Sequence, residues 1–421
     1  MKSLKSFLIW GIVVLVGLAS FTTLALSRDE HVSAIWMVTA AISVYCIAYR
    51  FYSLYIANRV MQLDPNRLTP AERHNDGLDY VPTHKGVLFG HHFAAIAGAG
   101  PLVGPVLAAQ MGYLPGTLWI IFGVVFAGAV QDMMVLFVSM RRDGKSLGDI
   151  VKQELGTVPG VIASIGILMI MVIIMAVLAL IVVKALVHSP WGTFTIAATM
   201  PIALFMGIYT RYIRPGKIGE ISIVGFILLM LAVIYGEDVA NSSFGHWFDL
   251  DGIQLTWAIM IYGFVASVLP VWLLLTPRDY LSTFLKIGTI AALALGIVIV
   301  NPTLQMPAVT HFIDGSGPVF SGALFPFLFI TIACGAVSGF HALISSGTTP
   351  KMVENETHVR MIGYGGMLME SFVAIMALAA AASLDPGVYF AMNSPAALIG
   401  TDANTAAEVI TTKLQFPVDA A

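Results

Sequence analysis

Ionisable side chains occur inside several long apolar stretches of this sequence, where a charge is costly to bury. Asp132, His341 and Glu370 each lie in such a stretch. An ionisable residue within a membrane span is a functional candidate by default, because a buried charge must find a partner or change its protonation state. A carboxylate or an imidazole in that setting can hold and release a proton. We predict that these residues carry protons, with a structural ion pair as the alternative for Asp132 and Glu370.

The stretch ITIACGAVSGFHALISSGTTPK combines His341 with several serine hydroxyl groups. On a continuous helix, Ser338, His341 and Ser345 have the spacing i, i+3 and i+7 and share one face. That face could coordinate a cation or bind a small polar solute, and Ser338 is the candidate for the solute. Ser345 and Ser346 are candidates for binding sodium, as in carriers with broken helices. Hydrogen bonds between helices are the alternative.

Glycine and proline interrupt the middle of the apolar segment GHHFAAIAGAGPLVGPVLAAQMGYLPG. The interrupting residues are Gly98, Gly100, Pro101, Gly104 and Pro105. Glycine weakens a helix and proline removes an amide, so the backbone groups that they free must find partners inside a membrane. We predict that Gly98, Gly100 and Gly104 line a broken helix at a substrate site, which could hold a carboxylate or a cation. Close helix packing through Gly100 and Gly104 is the alternative.

The same segment begins with His91 and His92. These imidazoles could relay protons or hold the anionic groups of a substrate, or they could simply cap the helix at the membrane interface. Cys46 and Cys334 fall within predicted spans and are interpreted as small apolar helix residues. No cluster has the spacing of metal ligands, so the sequence predicts neither a metal nor another cofactor.

The composition places all of these residues in a membrane protein. Apolar residues make up 58% and charged residues 11% of the chain, against about 25% charged residues in a typical soluble domain. The mean hydropathy is +0.86. A net charge of −3 and the absence of a basic run give no sign of nucleic-acid binding. The predicted fold class is all-α, a polytopic bundle of transmembrane helices.

About twenty apolar residues cross a bilayer as a helix, and by that rule the sequence predicts about eleven spans. They cover approximately residues 7–26, 34–57, 88–111, 117–140, 158–187, 191–210, 218–236, 254–276, 281–300, 322–346 and 362–383. With the N-terminus in the cytoplasm, only Arg28, Lys184 and Lys413 of the 21 Lys and Arg residues fall at the outer side. The positive-inside rule therefore favours this orientation.

Pro270 lies within the predicted eighth span and is expected to break it. The third and eighth spans are five apart and run in opposite directions. Two such broken helices are typical of an inverted five-plus-five repeat. Spans 3–7 would form the first repeat and spans 8–12 the second, with the twelfth span outside this chain.

Six segments closely resemble the carbon starvation protein A family of bacterial inner-membrane proteins. They are RHNDGLDYVPT, FGHHFAAIAGAGPLVGPVLAAQMGYLPG, GAVQDMMVLFVSMRRDGKSLG, LLLTPRDYLSTFLKIGT, ITIACGAVSGFHALISSGTTPK and GYGGMLMESFVAIMAL. The similarity covers residues 1–395, which we predict to form a transporter domain incomplete at its C-terminal end. Residues 396–421 are predicted to be a divergent or truncated tail. The resemblance implies a multi-pass carrier of the amino acid–polyamine–organocation type, linked to carbon starvation and to proton-driven uptake of peptides or pyruvate.

The leading hypothesis is a secondary active transporter in the inner membrane, with a peptide or pyruvate as substrate and a proton or sodium as coupling ion. Protons are favoured by the buried histidine and carboxylates, and sodium by the serine pair. A membrane nutrient sensor or scaffold without transport activity is the alternative. An intramembrane enzyme is disfavoured, because the sequence has no H-E-x-x-H motif and Ser338 lacks a Gly-x-Ser-Gly context.

Overall fold

The computed structural model describes residues 2–26 and 32–416, and this part of the chain is almost entirely helical. Its extended segments form two isolated β-bridges and no strand. Arg28, which the predicted topology puts at the outer side, lies outside the described residues, as do residues 417–421 of the predicted tail. The all-α prediction is therefore confirmed for the described part of the chain.

Nineteen helical elements, numbered in chain order, build the described part. They are α1 (Lys2–Leu26), α2 (Ile35–Val60), α3 (Pro70–Arg73), α4 (Lys85–Ile96), α5 (Gly100–Met111), α6 (Tyr113–Arg141), α7 (Leu147–Leu155), α8 (Thr157–Leu186), α9 (Pro190–Ile213), α10 (Ile218–Ala240), α11 (Gly252–Val268), α12 (Leu275–Val300), α13 (Phe329–Thr331), α14 (Ala333–Ala336), α15 (Gly339–Ser345), α16 (Glu356–Ala382), α17 (Pro386–Asn393), α18 (Ala396–Ile399) and α19 (Ala403–Lys413). Short 3-10 or π segments at Gly245–Trp247, His311–Asp314, Leu324–Leu328 and Thr349–Lys351 complete the set.

Eight of these helices are long and apolar enough to cross a membrane, and the bent pair α4 and α5 brings the number in the described residues to nine. These nine match nine of the eleven predicted spans. The two without a match among the nine are the eighth and the tenth. The eighth prediction corresponds to α11, an apolar helix of 17 residues. The tenth prediction, 322–346, is wrong as a continuous helix, because the chain there divides into short pieces. The total of eleven spans stays a prediction.

The third span is broken where the sequence predicts. Helix α4 ends at Ile96, Ala97 leaves the helical region with φ −79° and ψ 65°, and α5 starts at Gly100 after a bend of 45°. Pro101 occupies the first turn of α5, where its missing amide costs no helical hydrogen bond. The glycine and proline pattern therefore identified the break correctly.

Pro270 interrupts the helix as expected, but it ends α11 rather than dividing one span into two half-helices, because the chain turns at 271–274 before α12 starts at Leu275. Helix α11 ends at Val268, before the proline, and Leu269 is extended with ψ 150°. The reason is that a residue preceding proline is pushed out of the helical region and proline itself offers no amide. The second interrupted segment is instead 324–345, and the five-plus-five repeat stays a prediction.

Helix α16 lies at the centre of the bundle and is the most buried of the apolar helices. It packs against α2, α4, α5 and α6. Close approach depends on glycine, because a Cβ at Gly363 would lie 2.7 Å from Met133 Cα and one at Gly128 would collide with the Ala336 carbonyl. Helix α8, in contrast, is buried only at Gly160 and lies at the periphery.

The two ends of the bundle differ in composition. Arg67, Arg73, Lys145 and Lys351 lie in the loops and short helical segments at one end, which we call the basic end. There the buried carboxylate of Glu356 binds the guanidinium of Arg141 through both oxygens. The opposite end contains the long connection between α12 and the interrupted segment.

The predicted tail packs on the rest of the fold. Ile399 of α18, Ile410 of α19 and Leu414 belong to the main hydrophobic core. The ring of Phe416 stacks on Phe390 at a centroid distance of 4.9 Å. The division of the chain at residue 395 stays a prediction.

Candidate functional site: a buried histidine between two carboxylates

Asp132, His341 and Glu370, predicted separately from three different stretches, meet in the core. His341 Nδ1 lies 3.0 Å from Asp132 Oδ2, and His341 Nε2 lies 2.9 Å from Glu370 Oε2. None of these side chains has exposed surface. The structure thus joins the predicted proton carriers in one chain of contacts, with the imidazole between the two carboxylates.

Irregular backbone positions each member of this cluster. A π segment, Val124–Gly128, precedes Asp132 in α6, and another, Arg360–Gly365, precedes Glu370 in α16. Single-turn π segments inside α-helices occur frequently at functional sites. His341 lies on the short helix α15, which begins after an extended stretch at residues 337–338.

Neighbouring groups fix the orientation of His341 and its helix. Met367 Sδ lies 3.1 Å from His341 Nδ1. The side-chain amide of Gln131 donates to the Ser338 carbonyl over 2.5 Å, which ties α6 to the start of α15. Ser338 occupies the extended N-cap position of α15 and makes no capping hydrogen bond with its side chain, so its predicted place on one helical face with His341 and Ser345 is wrong.

A count of formal charges shows what the cluster can do. Two carboxylates and one imidazolium carry a net charge of −1 when all three are ionised. An isolated net charge is costly in a site without solvent contact, and one additional proton removes it. Asp132 Oδ1 has no hydrogen-bond partner among the described residues, which leaves a place for such a proton. The geometry is suited to taking up and releasing one proton.

Cys334, which the sequence analysis assigned to packing, belongs to this site. Its thiol donates to Glu370 Oε1 over 3.4 Å and lies 3.8 Å from His341 Nε2. The ligand atoms of Cys334, His341 and Glu370 lie within 4.8 Å of one another, as in a group that could hold a metal ion. However, the 2.9 Å separation of His341 and Glu370 is that of a direct ion pair. It is shorter than the roughly 3.3 Å that tetrahedral zinc geometry sets between ligand atoms.

A cavity of about 800 Å³ adjoins the cluster at the break of the third span. Gly98, Gly100, Gly104, Cys334 and Ser338 all contribute to its wall. The rest of the lining is mostly apolar and includes one side of α8. The predicted binding residues of the break therefore face one common space, and Cys334 connects that space to the buried cluster.

The three glycines have different roles in this wall. A Cβ at Gly98 would meet only Leu178 Cδ2, at 4.0 Å. A Cβ at Gly100 would lie 2.5 Å from Cys334 Sγ, and one at Gly104 would collide with the Thr331 carbonyl oxygen. Gly100 and Gly104 therefore both line the cavity and permit close packing against the interrupted segment.

A second cavity, of about 590 Å³, continues from the first toward the basic end. The two share Ala95, Leu147, Ile167, Phe340 and Leu343 as lining residues. His91 lines the second cavity, and its Nδ1 lies 3.0 Å from Asp279 Oδ2. His91, predicted to bind substrate, thus lies on a path that leads to the break.

The remaining predicted residues, His92, Ser345 and Ser346, are buried near this path. His92 lines neither cavity, and its Nδ1 lies 3.0 Å from Thr349 Oγ1. Ser346 donates to the Ala342 carbonyl over 2.7 Å. The Ser345 hydroxyl has no hydrogen-bond partner among the described residues. The sodium assignment of these serines stays a prediction.

Asp279 and Lys286 on α12 are functional candidates that the sequence analysis missed. The predicted ninth span, 281–300, leaves Asp279 outside the span and Lys286 near its inner end. The structure starts α12 at Leu275, so both charges lie inside an apolar helix. Their separation of seven residues, which repeats on one helical face, is the signal that could have identified them.

These features define a multi-pass helical membrane protein with a broken span, a cavity beside it and a buried ionisable cluster. The chain belongs to the carbon starvation protein CstA family, whose family model matches residues 33–421. It is 66% identical over 400 residues to the peptide transporter CstA of Escherichia coli K12 and 63% identical over 400 residues to that organism's pyruvate/proton symporter BtsT. It is 61% identical over 414 residues to the peptide transporter CstA of Campylobacter jejuni.

These alignments cover 95%, 95% and 97% of the chain, but only 57%, 56% and 59% of the respective relatives. The chain thus spans somewhat more than half the length of these curated relatives. No solved structure matches the chain.

Proposed function

We propose that this chain is the transporter domain of a secondary active transporter in the bacterial inner membrane. It takes up a small organic nutrient with a carboxylate group, pyruvate or a short peptide, together with protons, and acts in the response to carbon starvation. The relatives named as peptide transporters and as a pyruvate/proton symporter support this proposal. On this proposal the chain is not an enzyme.

The observation that carries the proposal is the position of His341 between Asp132 and Glu370. The cluster has no solvent contact, so each protonation change alters the charge balance of the core. A transporter that couples uptake to protons needs such a group within reach of its substrate. Here Cys334 contacts the cluster on one side and lines the large cavity on the other.

The substrate is proposed to bind in the large cavity at the break of the third span. The amides of Ala99 and Gly100 have no acceptor among the described residues and lie at the N-terminal end of α5. A helix N-terminus favours a carboxylate, and broken helices in carriers present such ends to anionic substrates. The volume suits both candidate substrates, because small-molecule sites occupy about 300–1,000 Å³.

The proposed path to the cytoplasm runs through the second cavity and past His91. The basic end of the bundle then faces the cytoplasm, which is consistent with the positive-inside rule and puts the N-terminus on that side. Alternating access would close this path while the opposite end opens. The acceptor or donor of the transferred proton on this path is the pair His91 and Asp279.

Uptake into proteoliposomes tests the proposal. Labelled pyruvate and a labelled dipeptide are supplied separately under an imposed proton gradient, with a sodium gradient of the same size as the comparison. We expect accumulation of one solute only with the proton gradient, and its loss in H341Q. The matched control is H188Q, which removes an exposed histidine 3.1 Å from Asp249. Accumulation driven by sodium alone contradicts the coupling, and no accumulation of either solute favours the sensor hypothesis.

A further inference from the structure

The carbonyl groups at the end of α4 are only partly used by the backbone. The Phe93 carbonyl accepts from Ala97 N–H and the Ile96 carbonyl accepts from Gly98 N–H, each over 2.9 Å. The carbonyls of Ala94 and Ala97 have no backbone donor among the described residues. Such orphan acceptors are costly inside a membrane, so the break requires an additional donor or a cation.

Lys286 supplies that positive charge. Its Nζ donates to the Ala94 carbonyl over 2.8 Å and to the Ala97 carbonyl over 2.7 Å. Lys286 lies near the middle of α12, where an ammonium group is expensive unless it is paired. Its two acceptors belong to the C-terminal end of α4, which carries the negative pole of the helix dipole. The ammonium group of Lys286 thus gives the free carbonyls of the break a donor, and the carbonyls give the buried charge its hydrogen-bond partners.

Lys286 is one member of a polar stripe that fastens α12 to the inner half of the broken span. Asp279, Thr283 and Lys286 have the spacing i, i+4 and i+7 and share one face of α12. Asp279 pairs with His91, and the Thr283 hydroxyl donates to the Gly90 carbonyl over 2.8 Å. Every polar member of the stripe thus contacts α4 or its end, which holds the ammonium group at one defined position.

Backbone carbonyls at the ends of half-helices are also the groups that coordinate sodium in carriers with broken helices. We infer that Lys286 is a positioning residue whose ammonium group takes the place of a coupling cation at this break, so that the transporter uses protons without sodium. A sodium ion at the same carbonyls would be repelled by the ammonium group. This inference rests on the proposed function and specifies its coupling ion.

The test combines melting with uptake. Purified protein containing the whole chain is melted in sodium chloride and in choline chloride of equal ionic strength, as wild type and as K286R, K286M and K286A. The control is S282A. The Ser282 hydroxyl donates to the Asp279 backbone carbonyl of the same helix, and Ser282 is not a member of the polar stripe. The melting temperature can be measured without transport. It therefore tests the inference even if neither pyruvate nor the dipeptide is taken up and the proposed function fails.

We expect the wild type, K286R and S282A to melt at the same temperature in both salts. K286M should melt lower in both and lose at least about tenfold in uptake, because two carbonyls lose their donor. K286A, which leaves space at the carbonyls, should be stabilised by sodium relative to choline. A lysine with only a packing role would not produce this sodium response.

Three results would overturn the inference. One is a sodium-specific rise in the melting temperature of the wild type. Another is a K286M protein whose melting temperature and uptake equal those of the wild type. The third is a K286A protein that folds but does not respond to sodium. If K286M and K286A do not fold, the wild type and K286R still decide, because a sodium response in the wild type contradicts a cation site already filled by lysine.

Discussion

His341 and Glu370 lie 2.9 Å apart, from Nε2 to Oε2, and neither side chain has exposed surface. The other imidazole nitrogen faces Asp132, so the two carboxylates share one histidine. A proton added to or removed from any member changes the interaction of the other two. The first two predictions below follow from this shared arrangement.

Glu370→Gln should separate proton coupling from substrate movement. Glutamine has nearly the shape of a protonated glutamic acid but cannot release a proton, so the cluster stays in one state. We expect loss of accumulation against a gradient, while exchange of labelled for unlabelled substrate across the proteoliposome membrane persists. Glu154→Gln is the control, since Glu154 forms an exposed pair with Arg142. Unchanged proton-driven accumulation in Glu370→Gln would remove Glu370 from the mechanism.

Asp132→Asn and His341→Gln should have effects that do not add. Asp132 acts on the site through His341 Nδ1, so its removal matters little once the imidazole is gone. A double-mutant cycle on uptake should give a coupling energy within the range of about 0.5–3 kcal/mol seen for residues in one network. Strict additivity of the two changes would show that they act independently.

Gly104→Ala should destabilise the protein, because the added methyl group collides with the Thr331 carbonyl oxygen at the contact between α5 and α13. Overpacking of this kind typically costs about 1–3 kcal/mol. Gly98→Ala is the matched control, since its methyl group would meet only Leu178 at 4.0 Å. Thermal unfolding followed by circular dichroism compares the two. Equal melting temperatures would show that the break can relax around a side chain at residue 104.

Glu356→Gln should lower the free energy of unfolding, because it removes a buried ion pair at the basic end of the bundle. Glu356 is 1% exposed, accepts from the amide of Asp64, and binds Arg141 through both carboxylate oxygens. Removal of one partner from a buried pair costs about 3–5 kcal/mol. We expect the lower end of that range, because Arg141 is partly exposed.

The comparison for this prediction is Glu220→Gln. Glu220 pairs with Arg214 over 3.0 Å, but both side chains are exposed. Exposed pairs are screened by water and contribute little to stability. Thermal unfolding should therefore distinguish the two variants clearly, and similar losses in both would mean that the burial of Glu356 does not determine its contribution.

Much of the architecture was predictable because it depends on local composition. Long apolar runs predict membrane-length helices, since only a helix satisfies all backbone groups in hydrocarbon. The break at Ala97 to Gly100 followed from glycine and proline, whose effects on φ and on the amide are local. The three ionisable candidates Asp132, His341 and Glu370 were found because charge is rare inside such runs.

Other features could not be predicted because they depend on how helices rotate and approach one another. The sequence indicated a continuous helix at 322–346, yet the chain there divides into short pieces that pack against α5 and α6, and Ser338 lies in the extended stretch before α15. Cys334 looked like a packing residue until the fold brought its thiol to Glu370.

The sequence by itself determined the class of protein, the break in the third span and the identity of the buried ionisable residues. Only the tertiary structure decided that His341 lies between the two carboxylates and that Lys286 caps the break. The physical reason is that hydropathy and backbone propensity act over a few neighbouring residues. Contacts across the bundle depend instead on close helix approach at residues such as Gly128 and Gly363.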